Sequence, residues 1–431
     1  MKKSLLIILC LFSLLLSCNA KKTAEAETSS PPNIILIMAD DLGYETLECN
    51  GGTSYQTPNL NQLATEGMRF THAYATPLCT PSRVQIMTGQ YNFRNYERFG
   101  YLNPKEKTFA NFLQDAGYAT AVAGKWQLEG EENGPYPFGF DAYCLWQLTR
   151  GDFWYRYKDP VIYQNGEKLD SLEGKYGPDV FTDFILDYIE KQSQQPRPFL
   201  VYYPMCLVHD PFQPTPAMES FGTYEIEGLN DTTYFRNMMG YMDRQIGKIV
   251  AKLDSLRLRE NTLVIFTGDN GTDRNVVSYM GNKAIRGDKG YTTDAGTHVP
   301  LIASWKGIIP EGEISDDLVD FTDFLPTLLE VARVDIPDTF VADGHSFLPQ
   351  LQGKTGDPRE WIFCDYDPQW SNFTARRYAQ DKQYKLYENG EFYHFTTDWQ
   401  EEQPLDTLNL DEAATASYEK LKGVLENFSG Q

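Results

Sequence analysis

Five short apolar runs recur along the chain, and each borders residues able to do chemistry. They cover residues 34–38 before Asp40-Asp41, 119–124 before Lys125, 199–203 shortly before His209, 262–267 before Asp269-Asn270, and 300–304, with 289–298 upstream. Continuous runs of this length predict strands covered on both faces, as in a mostly parallel sheet. Between them, 58–66, 108–116, 180–191 and 233–255 carry helical patterns. The β, α, β, α order predicts an α/β fold: a large, mostly parallel mixed sheet flanked by helices. Ligands of such sheets bind beyond the carboxyl ends of the strands. The polar residues at the run ends are therefore the first candidates for a site.

From about Pro358 the texture changes. Residues 384–387 and 391–395 flank Asn389-Gly390, a hairpin turn signal, and an amphipathic helix follows from about Asp411 with Tyr418, Leu421, Leu425 and Phe428 on one side. This predicts a smaller C-terminal α+β domain, dividing the chain into 33–355 and 356–431. Between Trp126 and Pro178 lies an aromatic insertion with Tyr143, Trp146, Trp154, Tyr155 and Tyr157, and a second hairpin signal at Asn165-Gly166. Its rings either stack on sugar faces or pack a large loop. No internal repeat is present.

The amino terminus adds an address. Lys2 and Lys3 precede an apolar stretch, 5–16, too short to span a bilayer, and Ser17-Cys18 follows. Leu15-Leu16-Ser17-Cys18 resembles a bacterial lipoprotein signal, which implies a signal peptide over 1–17 and lipidation of Cys18. Residues 18–32 then form a flexible tether, and the protein is exported and lipid-anchored in the cell envelope, with no other membrane attachment. Of the seven cysteines, Cys10 leaves with the signal and Cys18 takes the lipid. The odd number that remains leaves at least one thiol unpaired or otherwise modified.

The 431 residues are 41% hydrophobic, enough for a large core, and carry a formal net charge of -22. That charge repels nucleic acid and anionic membrane surfaces. An anionic substrate then needs a local basic pocket. Asp40, Asp41 and Asp269 with Asn270 offer only oxygen donors, which suits Ca²⁺ or, less well, Mg²⁺ and excludes a thiolate zinc site. Cys79 stands just before Pro81, a residue favoured in a helix first turn, with Arg83 one turn on. A helix dipole and exposed N–H groups there favour an anion. A packed or disulfide-bonded cysteine fits the same local pattern.

Leu78-Cys79-Thr80-Pro81-Ser82-Arg83, with Thr88-Gly89 beyond, closely resembles the signature of type I sulfatases. Asn33 to Gly43, Gly124-Lys125-Trp126, His209-Asp210-Pro211, Gly268 to Gly271 and Lys289-Gly290 match further blocks in the same order. The resemblance covers about 33–353, and 384–395 is similar to the family's C-terminal hairpin. It implies an alkaline-phosphatase-like sulfatase fold and a maturation enzyme that oxidises Cys79 to formylglycine (3-oxoalanine). It implies Ca²⁺ held by Asp40, Asp41, Asp269 and Asn270, and a sulfate surrounded by Arg83, Lys125, His209 and Lys289. The mechanism it implies uses one hydroxyl of the hydrated aldehyde as nucleophile, a proton from His209 or Lys289 to the leaving alcohol, and loss of sulfate as the aldehyde returns.

Two blocks depart from the family. Gln127 stands where Gly-Lys-Trp-His is common, and Gln cannot take a proton at neutral pH. Asp294 to His298 replaces Glu-Gly-Gly-x-Arg, making His298 a candidate base or substrate contact. Gln127, His298 and Trp126 are thus the expected substrate-binding residues. His72, His345 and His394 read as structural. The expected activity is hydrolysis of a sulfate ester on a sulfated carbohydrate, in the degradation of sulfated polysaccharide. The alternatives are a phosphodiester or phosphonate monoester hydrolase using the same site, and a lipoprotein that binds sulfated glycans without turnover.

Overall fold

The protein is described here from a computed structural model, which covers residues 31–130, 134–148 and 153–430. The signal stretch and Cys18 lie outside the described residues.

Chain order gives strands β1 (Asn33–Ala39), β2 (Met68–Tyr74), β3 (Ala119–Lys125), β4 (Ala142–Trp146), β5 (Ile162–Gln164), β6 (Glu167–Lys168), β7 (Phe199–Pro204) and β8 (Thr262–Gly268). A small hairpin, β9 (Val277–Met280) and β10 (Lys283–Arg286), precedes β11 (His298–Ser304) and β12 (Glu313–Asp320). The large sheet runs β12-β2-β11-β8-β1-β7-β3-β4-β5-β6. Its centre, β8-β1-β7-β3-β4, is parallel throughout, and β11 is antiparallel to both of its neighbours.

The apolar runs are continuous because both faces of this centre are covered. In β1, Ile34, Leu36 and Met38 enter one core cluster while Ile35, Ile37 and Ala39 enter the other. The helix Phe235–Ser255 lays Met238, Met242, Ile246, Ile249 and Leu253 onto the second cluster, at the three- and four-residue spacing of one helical face. Asn165 and Gly166 both have positive φ, at 50° and 94°, as the tight β5–β6 turn requires.

The C-terminal sheet is antiparallel: β13 (Ile362–Tyr366), β14 (Arg376–Gln380), β15 (Lys385–Tyr387) and β16 (Phe392–Tyr393), in that order. The helix Glu412–Asn427 covers it through Leu421 and Val424, and Asp411 caps that helix by accepting from the Ala414 N–H.

Candidate active site

Parallel register builds the centre of the site. Ala39 of β1 lies opposite Gly268 of β8, so the residues that follow, Asp40-Asp41 and Asp269-Asn270, emerge side by side at one sheet edge. All four are fully buried. Asp41 adopts φ 59°, a left-handed conformation Asp tolerates better than most residues, and its N–H donates to Asp269 Oδ1 at 3.0 Å.

Buried carboxylates need partners, and the end of β3, the helix Cys79–Thr88 and the segment after β10 supply them. Lys125 closes β3 and donates from Nζ to both Asp40 oxygens, at 2.9 and 2.8 Å. Arg83 reaches Asp269 Oδ2 at 2.9 Å and lies 3.6 Å from Asp40 Oδ1. Lys289 donates to Asp41 Oδ2 at 2.6 Å. Burial works against the charged form of Asp40, but Lys125, His209, Arg83 and Lys289 together hold its carboxyl well below the usual range. Asp269 moves the other way: burial and the adjacent Asp40 charge push it up despite Arg83.

This crowding of negative oxygen tests whether a cation belongs here. Asn270 donates from Nδ2 to Asp41 Oδ1 and to the Gly271 carbonyl, at 2.9 Å each, while its buried Oδ1 has no hydrogen-bond partner. A buried acceptor left unpaired beside three buried carboxylates fits a hard divalent cation.

Cys79 opens the helix Cys79–Thr88, every residue of which is buried, and Gly89 ends it at φ 65°. Its Sγ donates to Gln127 Oε1 at 3.3 Å. Burial pushes the thiol up, more than Lys125 and Lys289 pull it down, so Cys79 is protonated at neutral pH. An unmodified thiol here is a poor nucleophile.

His209 lies beyond β7, its Nε2 2.9 Å from Lys289 Nζ and its Nδ1 2.8 Å from Asp210 Oδ1. An ammonium only donates, so Nε2 faces Lys289 as an acceptor while the ring is neutral, and Nδ1 faces both the Asp210 carboxylate and the Arg156 guanidinium, at 2.8 and 3.0 Å. Against the effect of burial, His209, Lys289 and Arg156 keep Asp210 well below the usual carboxylate range.

Cys79, Gln127, His209 and Lys289 line one cavity of about 520 Å³. The structure therefore brings together the four metal-ligand candidates, Arg83, Lys125, His209, Lys289 and Gln127 around Cys79. Two expected substrate contacts are corrected. Trp126 is 1% exposed, sends its indole N–H to the Glu129 carbonyl at 2.8 Å and packs on Phe138 and Phe140, away from the cavity lining. His298 is sandwiched between Tyr44 and Tyr74, with ring centroids at 4.2 and 4.9 Å, and its nitrogens face the Thr71 carbonyl and Asp294. It packs strands and does not line the cavity.

Gln147, which lines the cavity, and Arg156, which lies behind His209, carried little sequence signal. Gln147 follows β4 as Gln127 follows β3, and both adopt left-handed backbone, φ 64° and 60°. The strand-end rule that found Lys125 extends to Gln147. Arg156 offered no such cue. It is buried, stacks over Trp146 at 4.2 Å and Phe153 at 4.5 Å, and places Nη1 3.0 Å from His209 Nδ1. Tyr143, Trp146 and Tyr157 of the aromatic insertion are fully buried, so packing explains them.

Comparison with known proteins agrees with this geometry. The family profile described as Sulfatase matches residues 32–334, and that of the N-sulphoglucosamine sulphohydrolase C-terminal region matches 286–428. Arylsulfatase A of Homo sapiens is 33% identical over 370 residues, covering 77% of this chain and 70% of its own. N-acetylgalactosamine-6-sulfatase of Canis lupus familiaris is 30% identical over 381 residues, covering 79% and 70%. Among solved structures, Ps i-CgsB matches with a TM-score of 0.78 at 24% identity over 93% of each chain. A complex of BT4656 with its substrate D-glucosamine-2-N,6-O-disulfate matches at 0.75 and 23%, over 92% of this chain and 97% of that one. The chain belongs to the sulfatase family and is a sulfuric ester hydrolase.

Proposed function

We propose that this enzyme removes sulfate from a sulfated carbohydrate, using formylglycine made from Cys79 and a Ca²⁺ ion held by Asp40, Asp41, Asp269 and Asn270. The observation that carries the reading is Cys79 itself. It lines the cavity beside His209 and Lys289, with buried Asp40 and Asp269 near its sulfur, and burial pushes its thiol up, so an unmodified thiol there is a poor nucleophile. Formylglycine, hydrated by water to a geminal diol, would supply one hydroxyl for attack on sulfur and a second whose loss of a proton lets sulfate leave as the aldehyde returns. Ca²⁺ held by Asp40, Asp41, Asp269 and Asn270 would supply Lewis acidity at the site.

The side chains do the rest. Arg83 and Lys125 offset the charge of Asp269 and Asp40, so that an anion can approach. Lys289, whose ammonium Asp41 secures against the effect of burial, presents positive charge where the bridging oxygen becomes negative. His209 or Lys289, whose Nε2 and Nζ stand 2.9 Å apart, gives the proton to that oxygen, and Asp210 fixes the ring from the opposite side. Gln127, which now accepts from Cys79, hydrogen-bonds the modified side chain without exchanging a proton. A carbohydrate as the leaving alcohol is supported by the sulfated sugars in the names of two relatives.

Mass spectrometry of the Cys79 peptide, from protein co-expressed with a maturation enzyme, tests the modification, and sulfate release from a panel of sulfated sugars tests the activity. An active preparation whose residue 79 is entirely thiol overturns the mechanism. Faster hydrolysis of an aryl phosphonate than of an aryl sulfate replaces the sulfate reading with the phosphonate one.

A further inference from the structure

We infer that the stacked pair Phe99–Trp370 is a sugar-binding platform that holds the ring of the leaving carbohydrate, so that a loop of the C-terminal sheet sets substrate affinity. This rests on the sulfated-carbohydrate reading above and adds the residues that would recognise the sugar. The two rings are parallel, with centroids 4.4 Å apart and an interplanar angle of 18°. Both line the cavity that has Cys79, His209 and Lys289 in its wall, and Trp370 remains 47% exposed.

Stacking on Phe99 backs one face of Trp370 and leaves this half-exposed ring to meet the apolar face of a pyranose, while the sulfate turns toward the cations. Phe153, 39% exposed, adds a third ring to the lining. Asp273 and Arg274 add polar groups able to meet ring hydroxyls, and Asp288 holds Arg274 at 3.0 Å. The cavity, about 520 Å³, falls within the roughly 300–1,000 Å³ usual for ligand sites.

The platform is anchored on two sides. Tyr96 donates from its hydroxyl to the Pro368 carbonyl at 2.7 Å, tying the loop between β13 and β14 to the segment that carries Phe99. On the other side Phe373 lies over Gly290, next to Lys289; a Cβ at residue 290 would meet the Phe373 ring at 2.2 Å. Gly290, at φ 89°, also accepts from the Tyr366 hydroxyl at 3.0 Å. Trp370 therefore sits in a loop fixed to the segment that bears a sulfate-binding residue.

The test uses Trp370→Ala, Phe99→Ala and Trp370→Phe in the mature enzyme. Each is assayed for sulfate release from monosulfated galactose, N-acetylgalactosamine and N-acetylglucosamine, with inorganic sulfate as inhibitor. Trp370→Ala and Phe99→Ala are expected to raise KM about tenfold, the loss of roughly one stacking contact, with kcat and the inhibition constant for sulfate within about twofold. Trp370→Phe should recover most of the affinity. An unchanged KM in both alanine variants, on every sugar the parent enzyme hydrolyses, overturns the platform.

If the parent enzyme releases sulfate from none of them, the carbohydrate reading is what fails. Calorimetric titration of Cys79→Ser protein with the same sugars then decides the platform separately. Binding that Trp370→Ala abolishes supports it; equal binding with and without Trp370, or no binding at all, overturns it.

Discussion

At the floor of the cavity Asp40, Asp41, Asp269, Lys125 and Arg83 are all but sealed from water and each charge touches an opposite one, whereas at the mouth Trp370 and Phe153 are 47% and 39% exposed and sit on loops. The floor grows from the ends of hydrogen-bonded parallel strands, so its geometry follows from the sheet register. The mouth is assembled from three segments far apart in sequence, held by a few contacts such as Tyr96 to Pro368. Buried charge must be matched closely, because desolvation is costly when a partner is missing. Exposed rings tolerate change at little cost in stability.

Paired substitutions are the strongest way to break this contrast. Arg83→Leu leaves the buried Asp269 and Asp40 without their guanidinium, and should cost about 3–5 kcal/mol of folding stability in metal-free protein. Trp370→Ala, at the exposed mouth, should cost less than about 0.5 kcal/mol. Urea denaturation of both reads the difference, and similar costs would mean that floor and mouth are built alike.

Metal comes next in size. Adding Ca²⁺ to chelator-treated protein, at one hundred times its dissociation constant, should stabilise the fold by about 2.7 kcal/mol and raise Tm. Asn270→Leu, which removes the unpaired Oδ1, should diminish that shift. A thermal scan without any Ca²⁺ response would show that the acidic floor is balanced by Lys and Arg alone.

A smaller effect comes from outside the site. Burial, aided by the neighbouring His298, holds the His72 imidazole down at about 4 in the folded chain, against about 6.5 when free. The unfolded chain then takes up the proton first as pH falls. Stability present above pH 6.5 is therefore lost progressively toward pH 4, by about 1–2 kcal/mol given the partial exposure of the ring. His72→Gln should flatten this limb in pH-dependent denaturation and leave sulfate release unchanged.

The smallest expected effect lies on the floor itself. Gln127→His keeps a residue type that tolerates the φ of 60° found there, and adds a group that can titrate. It should change kcat by less than about tenfold, or 1.4 kcal/mol, while adding an acid limb near pH 6.5 to the kcat profile. A profile identical to that of the parent would mean that residue 127 does not face the reacting group.

Much of the floor was legible in the sequence for a physical reason. A strand covered on both faces must be apolar throughout, so its end is marked where the apolar run stops, and Asp40, Lys125, Asp269 and Asn270 all lie at such stops. Gln147 obeys the same rule but follows a strand, β4, that the sequence placed inside the aromatic insertion and did not mark as an apolar run. Trp126, beside Lys125, and His298, in the block that stands where the family has Glu-Gly-Gly-x-Arg, were expected at the substrate, yet each points into packing instead. Adjacency along the chain does not fix direction. Of the two readings of the aromatic insertion, packing holds for Tyr143, Trp146 and Tyr157, while its Phe153 joins Phe99, Trp370 and Phe373 at the mouth.

By itself the sequence determined the strands, their catalytic ends, and the family to which their order belongs, because hydrophobic periodicity and short motifs are local properties. Only the tertiary structure decided which charges pair, that the Cys79 thiol stays protonated, and which rings frame the cavity. Those depend on burial and on distances between segments as far apart as Phe99 and Trp370, and no local pattern records them.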